Sequence, residues 1–410
     1  MKFNTALLHA GVNKDETNGA THTPIYQSSA FHHASAGELA KIFDNKARGF
    51  SYTRVGNPTV EAFEARITKL EGGVASIACA SGMAALTNAF LNILRAGDEI
   101  LSSASLYGGS IDLFRDFEAF GITTRYVHGN DFEEIENAIN DRTRAIFAET
   151  IGNPKLDVTD IKALAELAHR HGLPLIIDNT VATAFLVRPI ELGADIVVNS
   201  SSKYINGSSN AISGVLTDSG RFKWDPERYP QLAPYKKFGP YAYTAKLRNG
   251  FFRNTGACLA PQNAFLNMLG LETLGLRMQR QCENAMALAT WIDENYPGID
   301  VNYLGLASSP WHELAVRQLD NYFGAILTIR VGSREAAFRV IDELKLPYKL
   351  SNIGDTKTLV IHPASTIALH NTPEELEEAG VFDDLIRISV GIEDIEDIIE
   401  DFKNAFLSLE

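Results

Sequence analysis

The chain has 410 residues, more than one hydrophobic core ordinarily fills, so two lobes are expected. With 45% hydrophobic and 21% charged residues its composition is that of an ordinary globular protein, which excludes a disordered or fibrous chain. A formal net charge of −14 opposes nucleic acid and anionic membranes, and no apolar run approaches the roughly 20 residues that span a bilayer, so a small-molecule partner is expected.

The polar start MKFNTALLHAGVNKDETNG lacks the layout of a secretory signal, and a cytoplasmic location is the expectation. Residues 1–55, rich in His, Ser, Thr and Gly and without clear periodicity, are expected to form an arm that reaches onto another subunit. From residue 56 to 256, short apolar runs (VASIACA, DEILSS, ITTRYV, RAIFAET, LPLIID, ADIVVNS, ISGVLTD) alternate with helix-period segments such as TVEAFEARITKLEG and VTDIKALAELAHRHG. That alternation predicts an α/β fold with a mainly parallel sheet covered by helices on both faces. Gly72, Gly97 and Gly172 follow the periodic stretches as left-handed C-cap candidates.

The aromatic and basic stretch between Ser219 and Gly256 is too apolar for a solvated linker and is expected to line a cleft or an interface. Residues 257–410 read as a smaller α+β lobe, opening with one long helix over CLAPQNAFLNMLGLETLGLRMQRQCENAMALATWIDENY and continuing through strand runs AILTIRV and LIRISV. Cys79, Cys258 and Cys282 have no metal-ligand spacing and are read as packing residues, so neither a metal nor a disulfide is expected.

Ligands of open parallel sheets bind at the carboxyl ends of strands, where three positions stand out. Ser81-Gly82-Met83 follows VASIACA and opens a helix, an arrangement that presents free N–H groups to an anion, although a plain N-cap explains it as well. Asp178 ends LPLIID, where a lone acid is often only a cap. Lys203 follows ADIVVNS, whose last residue Ser200 stands with Ser201 and Ser202 as three hydroxyls directly before it; a lysine there is ordinarily a surface charge. Taken together the three match what pyridoxal phosphate requires: a lysine for the Schiff base, an acid to keep the pyridine nitrogen protonated, and a phosphate cup.

The ordered strings SYTRVGNPT, ASGM, LYGGS, ETIGNP, DNT, SSSKY and LIRISVG then resemble, nearly end to end, the Cys/Met-metabolism family of fold-type I pyridoxal-phosphate enzymes. The resemblance implies a seven-stranded sheet in the larger domain, Lys203 as Schiff-base lysine and proton shuttle, Asp178 as pyridinium partner, and Tyr107 stacked on the ring. It further implies that Ser81, Gly82, Met83, Ser200 and Ser202 bind the phosphate, that Asn153 bonds the phenolic oxygen, and that Glu149 supports the site from behind. Arg387 and Ser351 would hold the substrate α-carboxylate. Tyr52 and Arg54 would reach the phosphate of the neighbouring subunit, making a dimer the minimal active unit and a tetramer the expected assembly.

Within the family, ETIGNPKLDV, SNIGDTKTLVIHPAST and the insert containing FGPYAYTAKLR resemble the O-acetylhomoserine sulfhydrylase branch, which implies γ-replacement by sulfide or by a protein thiocarboxylate. Gly109 stands where methionine γ-lyases usually carry a cysteine. The alternatives are a cystathionine γ-synthase or γ-lyase type enzyme and, from another class, a non-catalytic partner of a sulfur-carrier protein. One departure is Ile205-Asn206-Gly207-Ser208-Ser209-Asn210, where this branch typically has a Gly-Gly-His-Gly type segment.

Overall fold

A computed structural model describes residues 1–11 and 18–409. The larger lobe is built on a seven-stranded sheet: β1 (Ala75–Cys79), β2 (Glu99–Ser103), β3 (Thr123–Val127), β4 (Thr143–Glu149), β5 (Leu175–Asp178), β6 (Ile196–Asn199) and β7 (Gly214–Asp218). Their order is β1-β7-β6-β5-β4-β2-β3, with β7 antiparallel to both neighbours and every other pair parallel. Each of the seven apolar runs forms one of these strands.

Alternate residues of a strand face opposite sides of the sheet, and both sides are filled. Ile177 and Val197 point into one core with Leu164, Phe63 and Leu271. Ile176, Ile196 and Val198 point into the other with Phe90 and Phe114. Burial on both faces explains why inner strands such as β5 and β6 read as continuous apolar runs, whereas the edge strand β3 is largely exposed.

The smaller lobe carries a five-stranded sheet of β8 (Asp300–Asn302), β9 (Ile326–Arg330), β10 (Tyr348–Lys349), β11 (Leu359–Ile361) and β12 (Leu385–Ser389), in the order β10-β11-β12-β9-β8. It packs on helices Arg334–Glu343 and Ile395–Phe406 through Leu327, Val340, Ile386 and Phe402.

Three local expectations need correction. The single long helix is two, Pro261–Glu272 and Leu274–Asn295. At the break, the Gly270 carbonyl accepts from Thr273 N–H (3.3 Å) and from the Arg277 guanidinium (2.7 Å). A side chain at Gly270 would lie 2.4 Å from the carbonyl oxygens of Ile205 and Asn206, so the helix abuts the segment after Lys203 where it breaks. The aromatic stretch is partly core: Tyr229 and Tyr243 are fully buried, and Trp224 stacks on Tyr243 with ring centroids 5.3 Å apart. Only its later part, including Tyr241 and Arg248, borders a surface groove shared with Phe50 and Gly56. Among the cap candidates Gly72 ends its helix directly, Gly172 follows one residue after the cap, and Gly97 lies in a loop beyond a helix that already ends at Leu91.

At the start of the chain, helix Phe3–His9 buries Ala6 and Leu7 against the core of its own subunit. Helix Ala36–Phe43, by contrast, buries none of its residues. Residues 12–17 of the expected arm lie outside the described residues. Among the described residues no helix is long and apolar enough to cross a membrane, and no cluster of side chains could hold a metal ion.

Candidate active site

A cavity of about 340 Å³ opens at the carboxyl ends of β4, β5 and β6, between the two lobes' sheets. Every residue assigned above to cofactor or substrate lines it, except Tyr52 and Arg54. Ser81 caps helix Gly82–Leu91, its hydroxyl accepting from Ala84 N–H at 3.0 Å, so the first turn of the helix faces the cavity. A side chain at Gly82 would stand 2.7 Å from Ser200 Cβ, so only glycine allows this close approach between the turn and the end of β6. Ser200 N–H donates to Thr180 Oγ1 at 2.8 Å, and Ser202 Oγ donates to the Ser213 carbonyl at 2.9 Å. A compact anion fits this cradle of first-turn amides and hydroxyls.

Asp178 and Glu149 end adjacent parallel strands in register. Asp178 accepts from Thr180 N–H at 2.8 Å, and Glu149 accepts from Tyr107 N–H at 2.6 Å. Burial pushes both carboxyls above the usual carboxylate range, and the charge of Asp178 adds to the rise at Glu149. Neither takes part in an ion pair among the described residues, so a cationic ring nitrogen would find a buried acid without a competing cation. Tyr107 is 47% exposed at the start of helix Gly108–Phe117, its ring lying across Gly109, where a Cβ would stand 2.5 Å from it.

Lys203 sits in the turn after β6, its Nζ donating to Asn352 Oδ1. Burial, helped by the nearby Arg387 charge, lowers its pKa to about 8. Arg387 is buried in β12, donating to Asn153 Oδ1 (3.2 Å) and to the Asn352 carbonyl (3.0 Å). Its Nε is buried without a partner among the described residues, a donor suited to an incoming carboxylate. These features fit pyridoxal phosphate together with an amino-acid substrate.

Tyr52 and Arg54 do not reach this cavity within one chain. Tyr52 is 44% exposed, with the Arg54 guanidinium 5.4 Å from its ring centroid and donating to the Arg253 carbonyl. Two contributors escaped the sequence reading. Asn352 touches Lys203 through its side chain and Arg387 through its carbonyl, and its only sequence signal is adjacency to Ser351. Thr180 ties the ends of β5 and β6 together, and its signal lay in the string DNT.

A profile of the family described as Cys/Met metabolism PLP-dependent enzyme matches residues 4–407. An O-acetyl-L-homoserine sulfhydrylase of Corynebacterium glutamicum is 42% identical over 99% of this chain and 97% of its own. Among solved structures, one assigned as an O-acetylhomoserine (thiol)-lyase of Campylobacter jejuni, holding a pyridoxyl-lysine phosphate, superimposes with a TM-score of 0.95 at 34% identity, covering 99% of this chain and 100% of that one. A cystathionine gamma-lyase of Lactobacillus plantarum follows at TM-score 0.88 and 33% identity, covering 100% of this chain and 99% of its own.

Proposed function

From a chain that belongs to the Cys/Met-metabolism family of pyridoxal-phosphate-dependent enzymes, we propose a γ-replacement: O-acetyl-L-homoserine and a sulfur donor give L-homocysteine and acetate. One observation carries the reading. Lys203, Asp178, the Ser81-Gly82-Met83 turn and Arg387 line a single cavity in a chain similar over its whole length to a named sulfhydrylase.

When bound, pyridoxal phosphate supplies an electron sink that lets the Cα–H bond of the substrate break. The residues of the chain do the rest. Asp178 holds a proton at the pyridine nitrogen, and Ser81, Gly82, Met83, Ser200 and Ser202 receive the phosphate. Asn153, whose oxygen is taken by Arg387, has its amide N–H left to donate to the phenolic oxygen, and Tyr107, which lines the same cavity, would pack against the ring. Arg387 and Ser351 grip the α-carboxylate. Lys203 would hold the cofactor and, as a free neutral amine, would take the protons of Cα and Cβ and return them after acetate has left Cγ and sulfur has joined it.

We take residues 56–256 as the cofactor-binding domain, 257–410 as the C-terminal domain, and 1–55 as an arm. Helix Ala36–Phe43, none of whose residues is buried, and the exposed Tyr52 and Arg54 support donation of that arm to a neighbouring subunit, with a dimer as the minimal active unit and a tetramer as the full assembly. The protein is assigned to the cytoplasm. The sulfur donor is free sulfide or a carrier protein with a C-terminal thiocarboxylate.

Incubating the holoenzyme with O-acetylhomoserine and, separately, with sulfide or a thiocarboxylated carrier tests both points. Homocysteine formed only when a sulfur donor is present is the expected result, and the more effective donor is then known. Rapid release of 2-oxobutanoate and ammonia from cystathionine or methionine would instead make the chain a lyase. A protein that stays colourless with added cofactor would make it a non-catalytic partner.

A further inference from the structure

The segment Ile205–Asn210, where the sequence departs from its branch, connects directly to Lys203. Ser209 adopts a φ of +54°, a left-handed conformation that is unfavourable for a residue with a Cβ. Neighbouring contacts hold it there. The Arg277 guanidinium grips the carbonyls of Tyr204 (2.7 Å) and Ile205 (3.4 Å), Asn206 Oδ1 accepts from Ser208 N–H (3.1 Å) and Asn210 N–H (3.3 Å), and the Gly207 carbonyl accepts from Thr356 N–H (2.9 Å).

In that conformation the Ser209 hydroxyl donates to Asp355 Oδ2, and it accepts from Asn352 Nδ2 at 2.8 Å. Asp355 is buried and cannot donate while ionised. Burial works to raise its pKa, but bonds from Lys357 (2.7 Å to Nζ) and Ser209 outweigh burial and keep it below the usual carboxylate range. Polarity therefore runs one way. The carboxylate accepts the hydrogen bond of the serine hydroxyl, the serine oxygen must accept from the amide nitrogen of Asn352, and the amide oxygen is left facing Lys203 Nζ.

We propose that Ser209 and Asp355 are positioning residues which, through Asn352, hold the amide oxygen rather than the amide nitrogen against Lys203 Nζ, orienting the released lysine for proton transfer. The proposal rests on the reading of Lys203 as the cofactor lysine. In a relay of this polarity one N–H of the free amine is committed to Asn352, so the nitrogen lone pair has a defined direction. If the amide could turn, an N–H would meet Nζ and disfavour its protonated form.

Among the described residues the titratable groups around Lys203 are Arg387 on β12, Asp178 and Glu149 at the ends of β5 and β4, Tyr107 across the cavity, and Asp355 with its partner Lys357 beyond Asn352. Changes at residue 209 leave these side chains in place and take from Asp355 only the bond from the serine. Ser209→Gly removes the hydroxyl while relieving the left-handed backbone, and Ser209→Ala removes it and keeps the strain. The primary measurement is acetylation of Lys203 in the full chain without cofactor, read by peptide mass spectrometry across pH 6–10. Wild type should be half reactive near pH 8. Both variants should shift by roughly half a pH unit or more to lower pH, and in the holoenzyme both should lose about tenfold in kcat with little change in KM. Ser209→Gly should do so while melting no lower than wild type.

Wild-type acetylation profiles in both variants would overturn the relay. So would a normal profile in Ser209→Gly beside a shifted one in Ser209→Ala, since only the backbone would then matter. Borohydride reduction of the wild-type holoenzyme separates the parent reading: a pyridoxyl group on a peptide without Lys203 overturns both.

Discussion

Glu149 and Asp178 face each other in register at the carboxyl ends of two adjacent parallel strands, buried and without an ion-pair partner among the described residues. Two such carboxyls resist ionising together, and a cationic ring nitrogen bound beside Asp178 would relieve the conflict by favouring its charge. Asp178→Asn keeps the bond from Thr180 N–H but cannot hold the ring proton. Turnover should fall by about a hundredfold or more, read by steady-state kinetics, with cofactor still bound in the visible spectrum. A kcat near wild type would remove Asp178 from the site.

Lys203→Ala deletes the amine and leaves one amide oxygen of Asn352 to water. Turnover should disappear while the far-ultraviolet dichroism and the melting temperature stay close to wild type, because the loss is chemical. In the wild-type enzyme a base with a pKa of about 8 is more effective as it loses its proton, so activity should rise as pH rises through that value.

Arg387→Lys replaces a planar donor, one of whose nitrogens has no partner, with a point charge. Losing one charge-assisted bond costs about 2 kcal/mol, so KM for O-acetylhomoserine should rise about thirtyfold with a smaller change in kcat. An unchanged KM would move the α-carboxylate elsewhere.

Donation of the arm can be tested by complementation. Arg54→Ala and Lys203→Ala are each expected to be inactive or nearly so. A heterodimer of the two has one site with an intact lysine and an intact arginine, so mixing should restore about one quarter of wild-type activity if subunits exchange at random. No recovery after verified exchange would mean that Arg54 serves its own chain.

Glu71 is buried below the sheet, one oxygen accepting from Asn199 Nδ2 at 2.8 Å and the other without a partner among the described residues. Burial raises its pKa to about 7, so its contribution to stability is complete below the unfolded value of 4.5 and is lost as pH rises through about 7. Glu71→Gln cannot ionise. It should flatten the fall in melting temperature between pH 5 and 8, worth at most about 3 kcal/mol. A steeper fall in the variant would contradict this account.

Much of the larger lobe was legible in the chain because its signals are local. A strand buried on both faces reads as a run such as LPLIID wherever it lies, and the residue after it is at a carboxyl end by construction. Asp178, Lys203 and the Ser81 turn can therefore be put at strand ends from the sequence alone, which is where the structure has them. The helix break at Thr273 was not legible, since CLAPQNAFLNMLGLETLGLRM keeps helical periodicity across it and the diverted Gly270 carbonyl depends on Arg277 and the segment after Lys203. Trp224 and Tyr243 looked like cleft residues because composition does not say which side of an aromatic stretch is covered.

What the sequence by itself determined is the order of the larger lobe's strands along the chain, the cap at Gly72, and the three strand-end positions, all governed by interactions within a few residues. Only the tertiary structure decided that Arg387 meets Asn153 across 234 positions and that Asn352 meets Lys203 across 149. Those contacts form where the two sheets come together, and no periodicity encodes them. The one-way bond from Asp355 through Ser209 and Asn352 to Lys203 exists for the same reason: hydrogen-bond polarity is set by which partners are brought within 3 Å or so of each other, and folding alone does that.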